Sequence, residues 1–445
     1  MQQTENCVTP IPMKKVRAVL IGAGDRGTIY AKLGKESCPE FELVGVADPD
    51  PVRRNYIRDL FELPESACYE RWETLLGQPK MADAAIIATQ DRMHYEPAMK
   101  AISLGYHLLL EKPAAPTAEE CLQIAEAAQA RGVEVVVCHV LRFTPFFRLL
   151  KQIVDEGRIG KIVNIVHVEE VGNVHQSHSF VRGNWRNSKT SAPMILAKSC
   201  HDIDILQWLL GEKCTRVQSF GSLSYFRREN MPEGAPEYCY QGCPAGDTCP
   251  YNSQIVYQKR RMFTTTATRK HTPTEEDIRK AITETDYGRC VFQSDNNVVD
   301  HQVVNLEYED GATVSFTMSA FNKGGRKIRI MGTKGEINAE MSWDHVDLFD
   351  FLTRTTTQIK IADAIRDETI NGGHGGGDRG IIRTFCAYLT GNYHGNTITD
   401  IGTSVENHLT AFAAEEARLN GNTVAMKKFA EELRASFAET GKRQK

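Results

Sequence analysis

A glycine-rich turn near the start of the chain has the spacing of a phosphate-binding loop. Residues 22–27 read G-A-G-D-R-G and follow an apolar segment that is predicted to be a strand. In a turn between a strand and a helix, Gly22 permits the sharp bend, Gly24 admits a pyrophosphate close to the backbone, and Gly27 lets the helix pack on the strand. The helix N-terminus adds amide donors and a partial positive charge. The turn therefore predicts a dinucleotide site.

An acidic residue accompanies this turn. Asp48 ends the second predicted strand, where its carboxylate can accept hydrogen bonds from ribose hydroxyls. It favours NAD over NADP because a carboxylate repels a 2′-phosphate, while Arg53 and Arg54 lie close enough in sequence to leave NADP open. Asp25 and Arg26, inside the turn, are further predicted cofactor contacts. The alternative is a glycine-rich turn with a capping aspartate and no nucleotide.

Four further motifs follow, and together with the turn they resemble one protein family. They read ATQDRMH at 88–94, GYHLLLEKP at 105–113, RF at 142–143 with EGRIG at 156–160, and KSCHDID at 198–204. They look like the A-T-P-x-x-x-H, G-x-H-V-x-x-E-K-P, R-F, G-x-I-G and D-x-G-x-H-x-x-D elements of the Gfo/Idh/MocA (glucose–fructose oxidoreductase and inositol dehydrogenase) family. Gln90 replaces the family's usual proline. The resemblance covers about residues 15–425.

The resemblance implies an N-terminal Rossmann domain, a C-terminal α/β domain with an open, mainly antiparallel sheet, and a nicotinamide cofactor. Hydride transfer from a sugar carbon needs a base for the hydroxyl proton and support for the developing alkoxide. By position in the motifs, Lys112 and His201 are the implied catalytic residues. Motif positions also imply cofactor contacts at Thr89, His94, Glu111 and Lys112, and a substrate contact at Arg142. The alternatives are a surface lysine paired with Glu111 and a core or capping histidine.

The sequence departs from the family beside the implied catalytic histidine. The family usually has an aspartate four residues before that histidine, and here the residue is Ala197. The usual lysine–aspartate–histidine triad is therefore incomplete. Lys198 and Asp202 lie near His201 on a helix predicted over 198–210, and both are predicted to contact substrate. Asp202 or Asp204 is the predicted residue that orients the histidine.

Other residues are candidates for a sugar pocket. The loop at 371–378, N-G-G-H-G-G-G-D, looks like the H-G-G-x-D segment of the family's sugar-active and glycosidase-like branches, and it predicts substrate contacts at His374 and Asp378. His301 begins a predicted sheet strand and is either a pocket residue or an exposed strand end. Trp185 is a candidate for stacking on a sugar ring, and Arg186 is a candidate for anchoring the sugar. The alternative is that neither residue has such a role.

The sequence contains 12 cysteines, several of which are clustered. Cys239, Cys243 and Cys249 fall in one loop, and Cys290 or Cys214 is available as a fourth ligand. A structural zinc commonly takes four ligands, often thiolates, so this set, with Cys290 as the fourth, predicts a structural zinc site. The alternative is free thiols in a loop.

Composition excludes several protein classes. The chain has 445 residues, 41% hydrophobic and 25% charged, which is typical of two or three globular domains. Its 53 basic and 57 acidic residues give a formal net charge of −4, which argues against a nucleic-acid partner. No apolar run is long enough to predict a membrane helix. The first fourteen residues do not have the pattern of a secretory signal, so none is expected. With the scattered cysteines, this favours reduced thiols and a cytoplasmic location.

The elements that must position these residues fall into two domains. Residues 1–14 are predicted to be a flexible tail, 15–145 an NAD-binding Rossmann domain with alternating strands and helices, and 146–445 a substrate and oligomerisation domain. An insertion is predicted at about 225–290. A helix at 380–389 is predicted to pack on the second domain's sheet. An open sheet face needs burial, so we expect a homodimer or homotetramer.

The leading interpretation is an NAD-dependent oxidoreductase acting on a sugar, sugar derivative or cyclitol. The alternative is a redox-neutral, NAD-dependent glycosidase that works by transient oxidation, elimination, hydration and re-reduction. A third hypothesis is a non-catalytic NAD-binding sensor.

Overall fold

A computed structural model describes residues 15–365 and 373–443, with backbone alone at 373–374 and 436–443. The predicted tail at 1–14 lies outside the described residues. Within them, no helix is both long enough and apolar enough to cross a membrane.

The first part of the chain alternates strands with helices, as the sequence predicts. The strands are β1 (Val16–Ile21), β2 (Phe41–Ala47), β3 (Cys68–Tyr69), β4 (Ala84–Ile87), β5 (His107–Leu110) and β6 (Val135–Val137). The helices are α1 (Asp25–Ser37), α2 (Pro51–Phe61), α3 (Trp72–Leu75), α4 (Tyr95–Ser103) and α5 (Ala118–Arg131). The strands form one sheet in the order β3-β2-β1-β4-β5-β6, and every pair is parallel. Strands such as β4 are buried at every residue because a parallel sheet is covered on both faces.

The middle of the chain forms a larger sheet. Its elements are α6 (Pro145–Asp155), β7 (Ile162–Glu170), α7 (Asn173–His175), α8 (Met194–Ala197), α9 (Cys200–Leu210), β8 (Cys214–Ser222), α10 (Thr264–Thr268), α11 (Glu275–Glu284), β9 (His301–Tyr308), β10 (Thr313–Ser319), β11 (Gly325–Gly332), β12 (Gly335–Glu340), β13 (His345–Asp350) and β14 (Thr355–Lys360). The remaining elements are α12 (Ile361–Ala364), α13 (Gly377–Leu389), α14 (Ile401–Asn420), β15 (Thr423–Ala425) and α15 (Met426–Arg443).

The second sheet has the order β14-β13-β12-β11-β7-β10-β9-β8-β15. Its pairs are antiparallel except that β10 runs parallel to β7, so the sheet is mixed and mainly antiparallel, as expected. Burial alternates along β9 and β10, which is the pattern of a sheet with one covered face. The segment between β8 and β9, which includes the predicted insertion, holds α10, α11 and short turns.

The chain forms two compact units whose boundaries differ from the predicted domains. The first takes in the described residues up to Gln152, from Ile361 to Leu409 and from Glu431 onward; the second comprises Ile153–Lys360 and Thr410–Ala430. The sequence assigned everything after residue 145 to the second domain.

The predicted packing of the 380–389 helix on the second sheet is wrong. Ile381, Ile382 and Phe385 of α13 are fully buried in the core of the first unit, together with Tyr30 of α1. The apolar face of α13 is readable from the sequence, but the surface that it covers is not, because the chain returns to the first unit after β14.

Candidate active site

The glycine-rich turn has the geometry that its sequence predicts. Gly22 has a φ of +90°, and a Cβ there would lie 2.7 Å from the Ala88 carbonyl oxygen. A Cβ on Gly27 would lie 2.0 Å from the Gly22 oxygen, so only glycine lets α1 start so close to β1. Gly24 is different, because the nearest atom to its would-be Cβ is Arg53 Nη1 at 3.8 Å. The space in front of Gly24 is therefore open to a ligand.

Asp48 is buried and braces this turn. Its Oδ2 accepts a hydrogen bond from the Ala23 amide at 2.6 Å, and its Oδ1 accepts one from the Asp50 amide at 2.8 Å. Asp50 in turn caps α2 through the Val52 amide at 2.9 Å. Asp48 thus fixes the turn in addition to any contact with a ribose. The Arg53 side chain, one of the two arginines that leave NADP open, lies near Gly24.

A charge network ties the glycine-rich turn to the E-K-P motif. Arg26 donates from Nε to Glu111 Oε1 at 2.8 Å, and its two terminal nitrogens donate to Asp378 at 2.7 and 3.1 Å. The Tyr30 hydroxyl donates to Glu111 Oε1 at 2.7 Å. Glu111 and Asp378 are 5% and 1% exposed. Burial alone would raise the pKa of Glu111, but the charges of Arg26 and Lys112 hold that pKa below its usual value.

Lys112 follows β5 in a tightly held loop. Its amide donates to Glu111 Oε2 at 2.8 Å, and the Lys112–Pro113 peptide bond is cis. The His94 ring lies between two loops, with Nδ1 2.7 Å from the Pro113 carbonyl oxygen and Nε2 3.1 Å from the Thr89 carbonyl oxygen. His94 is 1% exposed. These contacts make it a brace for the Lys112 loop.

Helix α14 supports the same loop from the other side. The Ala114 amide donates to His408 Nε2 at 3.0 Å, and His408 Nδ1 donates to the Ser404 carbonyl oxygen at 2.6 Å. His139 Nε2 lies 3.1 Å from the Ser404 hydroxyl. Burial lowers the pKa of His139 well below its usual value, and the nearby charges of Arg142 and Lys112 lower it further. Arg142 is itself buried, and its charge acts on His139 beside this loop.

The second unit contains a separate charge network next to His201. Asp202 Oδ1 accepts hydrogen bonds from His167 Nε2 and Arg326 Nε, both at 2.8 Å. Arg326 Nη2 also lies 2.7 Å from Glu169 Oε2, and Lys198 Nζ lies 3.0 Å from Glu169 Oε1. Burial alone would raise the pKa of Asp202, but the Arg326 guanidinium and the His167 hydrogen bond hold it well below its usual range. Asp202 stays ionised at neutral pH.

The strand register explains how this network assembles. His167 and Glu169 alternate on the buried face of β7, and Arg326 is the partner of Glu169 in the adjacent strand β11. Lys198 is 17% exposed by side chain, whereas Asp202 is fully buried with its oxygens engaged. The geometry therefore favours Asp202 as a positioning residue and leaves Lys198 nearer to solvent.

The helix predicted over 198–210 is wrong at its start. The chain forms α8, ending at Ala197, and α9, starting at Cys200, with a turn at Lys198 and Ser199 between the two helices. His201 therefore lies in the first turn of α9 and is 7% exposed. Lys198 is not on one continuous helix with it, and the Lys198 Nζ lies 3.0 Å from Glu169 Oε1.

The other predicted substrate residues differ in exposure and in the partners that they already have. His301 begins β9 with a 43% exposed side chain, and its Nδ1 lies 2.8 Å from Asp300 Oδ1. Arg186 already pairs with Asp286 at 3.1 Å and Asp295 at 2.5 Å. Trp185 is half-buried. The His374 side chain lies outside the described residues, although its backbone belongs to a short 3₁₀ turn before α13.

The predicted zinc site is not supported. Among residues 15–365 and 373–443, no group of three or more His, Cys, Asp or Glu side chains is arranged to hold a metal ion. Cys239, Cys243, Cys249 and Cys290 nevertheless line one small cavity in the second unit. The described cysteines are free thiols.

The supporting residues were not found from the sequence. Glu169 and Arg326 lie on sheet strands, and Tyr30, Ser404 and His408 on helices, far in sequence from the motifs that they brace. For His167 and Glu169 the signal was available, because buried polar residues alternate in an otherwise apolar strand face. Nothing local marks His408 or Ser404.

Comparison with known proteins covers both units. Residues 16–139 match the Gfo/Idh/MocA oxidoreductase family, NAD-binding Rossmann fold, and residues 147–338 match the Gfo/Idh/MocA C-terminal domain. The chain is 25% identical over 363 residues to the Bacillus subtilis protein YteT, named as an oxidoreductase, which covers 76% of this chain and 80% of that protein.

Two shorter matches carry more specific names. The chain is 33% identical over 132 residues to inositol 2-dehydrogenase 2 of Saccharopolyspora erythraea, covering 29% of this chain and 36% of that enzyme. It is 30% identical over 146 residues to 2,7-anhydro-N-acetylneuraminate hydratase of Escherichia coli, covering 33% of this chain and 38% of the hydratase. Each match spans little more than a third of the relative.

A solved structure agrees in fold. The WlbA dehydrogenase of Chromobacterium violaceum, in complex with NADH and UDP-GlcNAcA, superimposes with a TM-score of 0.64 and 17% identity, over 94% of this chain and 98% of that one. At that identity the likeness shows the fold alone.

Proposed function

The chain belongs to the Gfo/Idh/MocA oxidoreductase family, and from that premise we propose that it transfers a hydride between NAD and a hydroxyl-bearing carbon of a sugar, sugar derivative or cyclitol. The observation that carries this proposal is the network that joins the glycine-rich turn to the Lys112 loop. Arg26 and Glu111 connect a nucleotide-binding turn directly to the residue implied to act on the substrate.

The residues of the first unit fit a dinucleotide. The open space in front of Gly24 and the amides at the start of α1 suit a pyrophosphate, and buried Asp48 lies where a ribose is expected. When bound, NAD supplies the hydride acceptor at its nicotinamide. We propose NAD as the preferred form because Asp48 opposes a 2′-phosphate, whereas Arg53 near Gly24 would favour one. Thr89, as predicted, would complete the cofactor contacts.

We propose that Lys112 and His201 act on the same substrate hydroxyl. The Lys112 ammonium would stabilise the alkoxide-like oxygen and pass its proton on, and His201 would take that proton directly or through Lys112. Glu111 holds the Lys112 backbone, and Asp202, fixed by Arg326 and His167, lies next to His201 in α9. Neither of these carboxylates needs to touch the substrate.

The predicted substrate contacts remain proposals, and they differ in whether their side chains are already engaged with other protein groups. Lys198, paired with Glu169 and partly exposed, supports a role in binding a polar substrate. Asp378 is committed to Arg26, and Arg186 to two carboxylates, so we propose that both act through positioning. Arg142, Trp185, His301 and His374 stay candidate pocket residues.

A redox-neutral reaction is the second candidate. Two observations favour it: Ala197 stands where the family's dehydrogenases have an aspartate, and one relative is named as a hydratase of an anhydro sugar acid. In this reaction, transient oxidation acidifies a neighbouring C–H, a leaving group is eliminated, water adds, and the same hydride returns. Lys198 and its Glu169 partner would supply the acid–base group that Ala197 cannot.

One panel of substrates separates the two reactions. Cyclitols, aldoses, uronic acids and aryl glycosides are incubated with enzyme and NAD, and both NADH and released aglycone are measured. A dehydrogenase forms NADH in proportion to substrate consumed, whereas the redox-neutral enzyme releases aglycone with no net NADH. Turnover of no polyol or glycoside, with NAD bound, would leave the sensor hypothesis and contradict both proposals.

Two variants test the catalytic pair. Lys112→Ala and His201→Ala should each lower turnover on the order of 10²-fold or more, the usual size of an acid–base effect, with little change in NAD affinity. Lys32→Ala, on the exposed face of α1, and His345→Ala, on β13, are matched controls that should keep wild-type turnover. Near-normal turnover in both test variants would show that the family roles do not carry over.

Assembly and location are further proposals. The second sheet exposes Val163, Val166 and Phe220, and burial of such residues favours a homodimer or homotetramer. A monomer by light scattering at micromolar concentration would contradict this. We propose the cytoplasm as the compartment, consistent with free thiols at the described cysteines.

A further inference from the structure

Two cysteines meet where helix α1 packs against helix α13 in the first unit. Cys38 follows the last residue of α1, and Cys386 lies near the end of α13. Both belong to one apolar core, in which Cys38 is 4% exposed and Cys386 is fully buried. The two side chains are hydrogen bonded to each other, and both are free thiols. The fold therefore brings together two reduced cysteines that lie far apart in the sequence.

The two thiols differ in how readily each loses its proton. The hydrogen bond from Cys386 lowers the pKa of Cys38, and Ser37 and Arg383 act in the same direction against burial and the charge of Glu40. The same contact raises the pKa of Cys386, and burial raises it further. Because the thiolate is the reactive form of cysteine, Cys38 is the nucleophile of the pair and Cys386 keeps its proton.

Cys38 is also the member of the pair that lies next to solvent. It lines two grooves in the surface of the first unit, with volumes of about 490 and 520 Å³. The larger groove is lined as well by Arg148 and Arg383, with Glu40 as its acidic residue. An accessible thiol in an electropositive setting is the usual environment of a reactive cysteine. A molecule little larger than water can approach Cys38 from these grooves, whereas Cys386 lies behind it in the core.

We propose that Cys38 and Cys386 form a pair that reacts with hydrogen peroxide and closes to a disulfide. The Cys38 thiolate attacks one peroxide oxygen, the O–O bond breaks, and the released hydroxide takes up the thiol proton and leaves as water. Cys38 is then a sulfenic acid. The Cys386 sulfur attacks the Cys38 sulfur, the S–O bond breaks, and the hydroxide leaves as water with the Cys386 proton. Two thiols and one peroxide thus give one disulfide and two waters.

The disulfide would join the two helices that hold the glycine-rich turn. Arg26 at the start of α1 pairs with Asp378 in the first turn of α13, and the cysteines lie toward the other ends of the same helices. The helices therefore run side by side in the same direction. Oxidation would add a covalent link at one end of a helix pair whose other end is held by an ion pair. The link is separate from hydride transfer and does not rest on the proposed reaction.

Cys68 offers a matched comparison within the same unit. It is half-buried, and so more exposed than Cys38. Burial and the charge of Glu65 raise the pKa of Cys68, however, and its Sγ donates to the Pro64 carbonyl oxygen at 3.6 Å. If exposure alone decided reactivity, Cys68 would be oxidised before Cys38. The pairing with Cys386 predicts the opposite order.

The test is titration of the reduced full chain with hydrogen peroxide, followed by peptide mapping by mass spectrometry without reductant. We expect a cross-linked peptide that joins Cys38 to Cys386 to form before Cys68 is modified, and dithiothreitol should reverse it. Cys386→Ser should stop at the sulfenic acid of Cys38, which dimedone traps. Cys68→Ser is the control and should form the cross-link as the wild type does.

Two results would overturn the proposal. One is oxidation of Cys68 ahead of Cys38 in the wild type. The other is a wild-type chain in which Cys38 resists peroxide, or is oxidised while Cys386 stays reduced. Mapping of the wild type decides between these results and the expected one even where Cys386→Ser fails to fold. No readout depends on NADH or on a substrate, so failure here would leave the proposed function untouched.

Discussion

The two units each bury a charge network beside an implied catalytic residue, and the networks are built differently. In the first unit, Arg26 joins Glu111 and Asp378, and its side chain is 26% exposed. In the second, Asp202 and Arg326 are 0% and 11% exposed by side chain. The first network holds a nucleotide turn at the edge of solvent, while the second holds a helix start inside the protein.

The difference separates a network whose charges mainly stabilise the fold, that of Asp202, from one whose charges also affect cofactor binding, that of Arg26. A partly exposed guanidinium keeps part of its hydration, so losing one of its two carboxylate partners is tolerable. A fully buried aspartate depends on its partners, because removing one leaves an uncompensated charge in the interior. We therefore expect changes to the second network to cost stability and changes to the first to affect cofactor binding as well.

The largest expected effect is at Asp202. Asp202→Asn removes the charge opposite Arg326 and should lower the free energy of unfolding by about 3–5 kcal/mol, the cost of breaking a buried pair. Denaturant unfolding measures it. Glu336→Gln, in a partly exposed pair with Arg329 on strands β12 and β11 of the same sheet, is the matched control and should cost less than about 1 kcal/mol. Equal losses in the two variants would remove the distinction between buried and exposed pairs.

A smaller loss is expected at Asp378. Asp378→Asn keeps one acceptor for Arg26, whose bond to Glu111 remains, and should cost about 1.5–3 kcal/mol, the range for hydrogen bonds to charged groups. Because Arg26 lies in the glycine-rich turn, NAD affinity should fall in the same variant. Calorimetric titration with NAD checks this. If Asp378→Asn lost as much stability as Asp202→Asn and bound NAD with unchanged affinity, the claim that the first network affects cofactor binding more than stability would be contradicted.

Asp48 should affect the cofactor more than stability. Asp48→Ala removes the acceptor for the Ala23 amide and the charge near the ribose, so NAD should bind about tenfold more weakly, or about 1.4 kcal/mol. The same variant should discriminate less against NADP. Asp48→Asn keeps one acceptor and separates the two effects. A wild-type preference for NADP would show that Arg53, rather than Asp48, decides the cofactor.

The smallest effect is on the acid side of the stability curve. The pKa values of Asp202 and Glu111 are held below their usual ones, so their contributions are complete above about pH 4.3 and are lost as pH falls toward the folded-state pKa. Each slope is at most about 1.4 kcal/mol per pH unit. Asp202→Asn should flatten the fall in Tm below pH 4. An unchanged slope would mean that Asp202 is not the group titrating.

The fold of the first unit was largely predictable because its signals are local. Strand β2 is mostly buried, Asp50 caps α2 through the Val52 amide, and Thr117 caps α5, accepting from the Glu120 amide at 3.2 Å. The ends of apolar strands and of capped helices can be located from the sequence, because an apolar run or a capping residue marks each of them. The return of α13 to this unit was not predictable, since an amphipathic helix shows which face is buried but not against what.

Only those candidate site residues that lie within a local sequence motif could be identified from the sequence. Gly22, Asp48 and Lys112 lie in recognisable motifs. The structure shows how Gly22 and Asp48 hold the turn, while the role of Lys112 stays a prediction. The partners Arg326 and Glu169 come from separate strands and meet only through β-sheet register. His408 reaches the Lys112 loop from a helix nearly 300 residues later. Such contacts depend on tertiary structure and leave no local pattern.

The most direct test of the central claim is a single-turnover measurement with NAD and the substrate found in the panel. The wild type should form NADH, transiently or stoichiometrically, in one rapid phase. Lys112→Ala and His201→Ala should bind NAD with wild-type affinity and form NADH at least about 10²-fold more slowly. NADH formation at the wild-type rate in both variants would contradict the account, and so would an absence of NADH in the wild type.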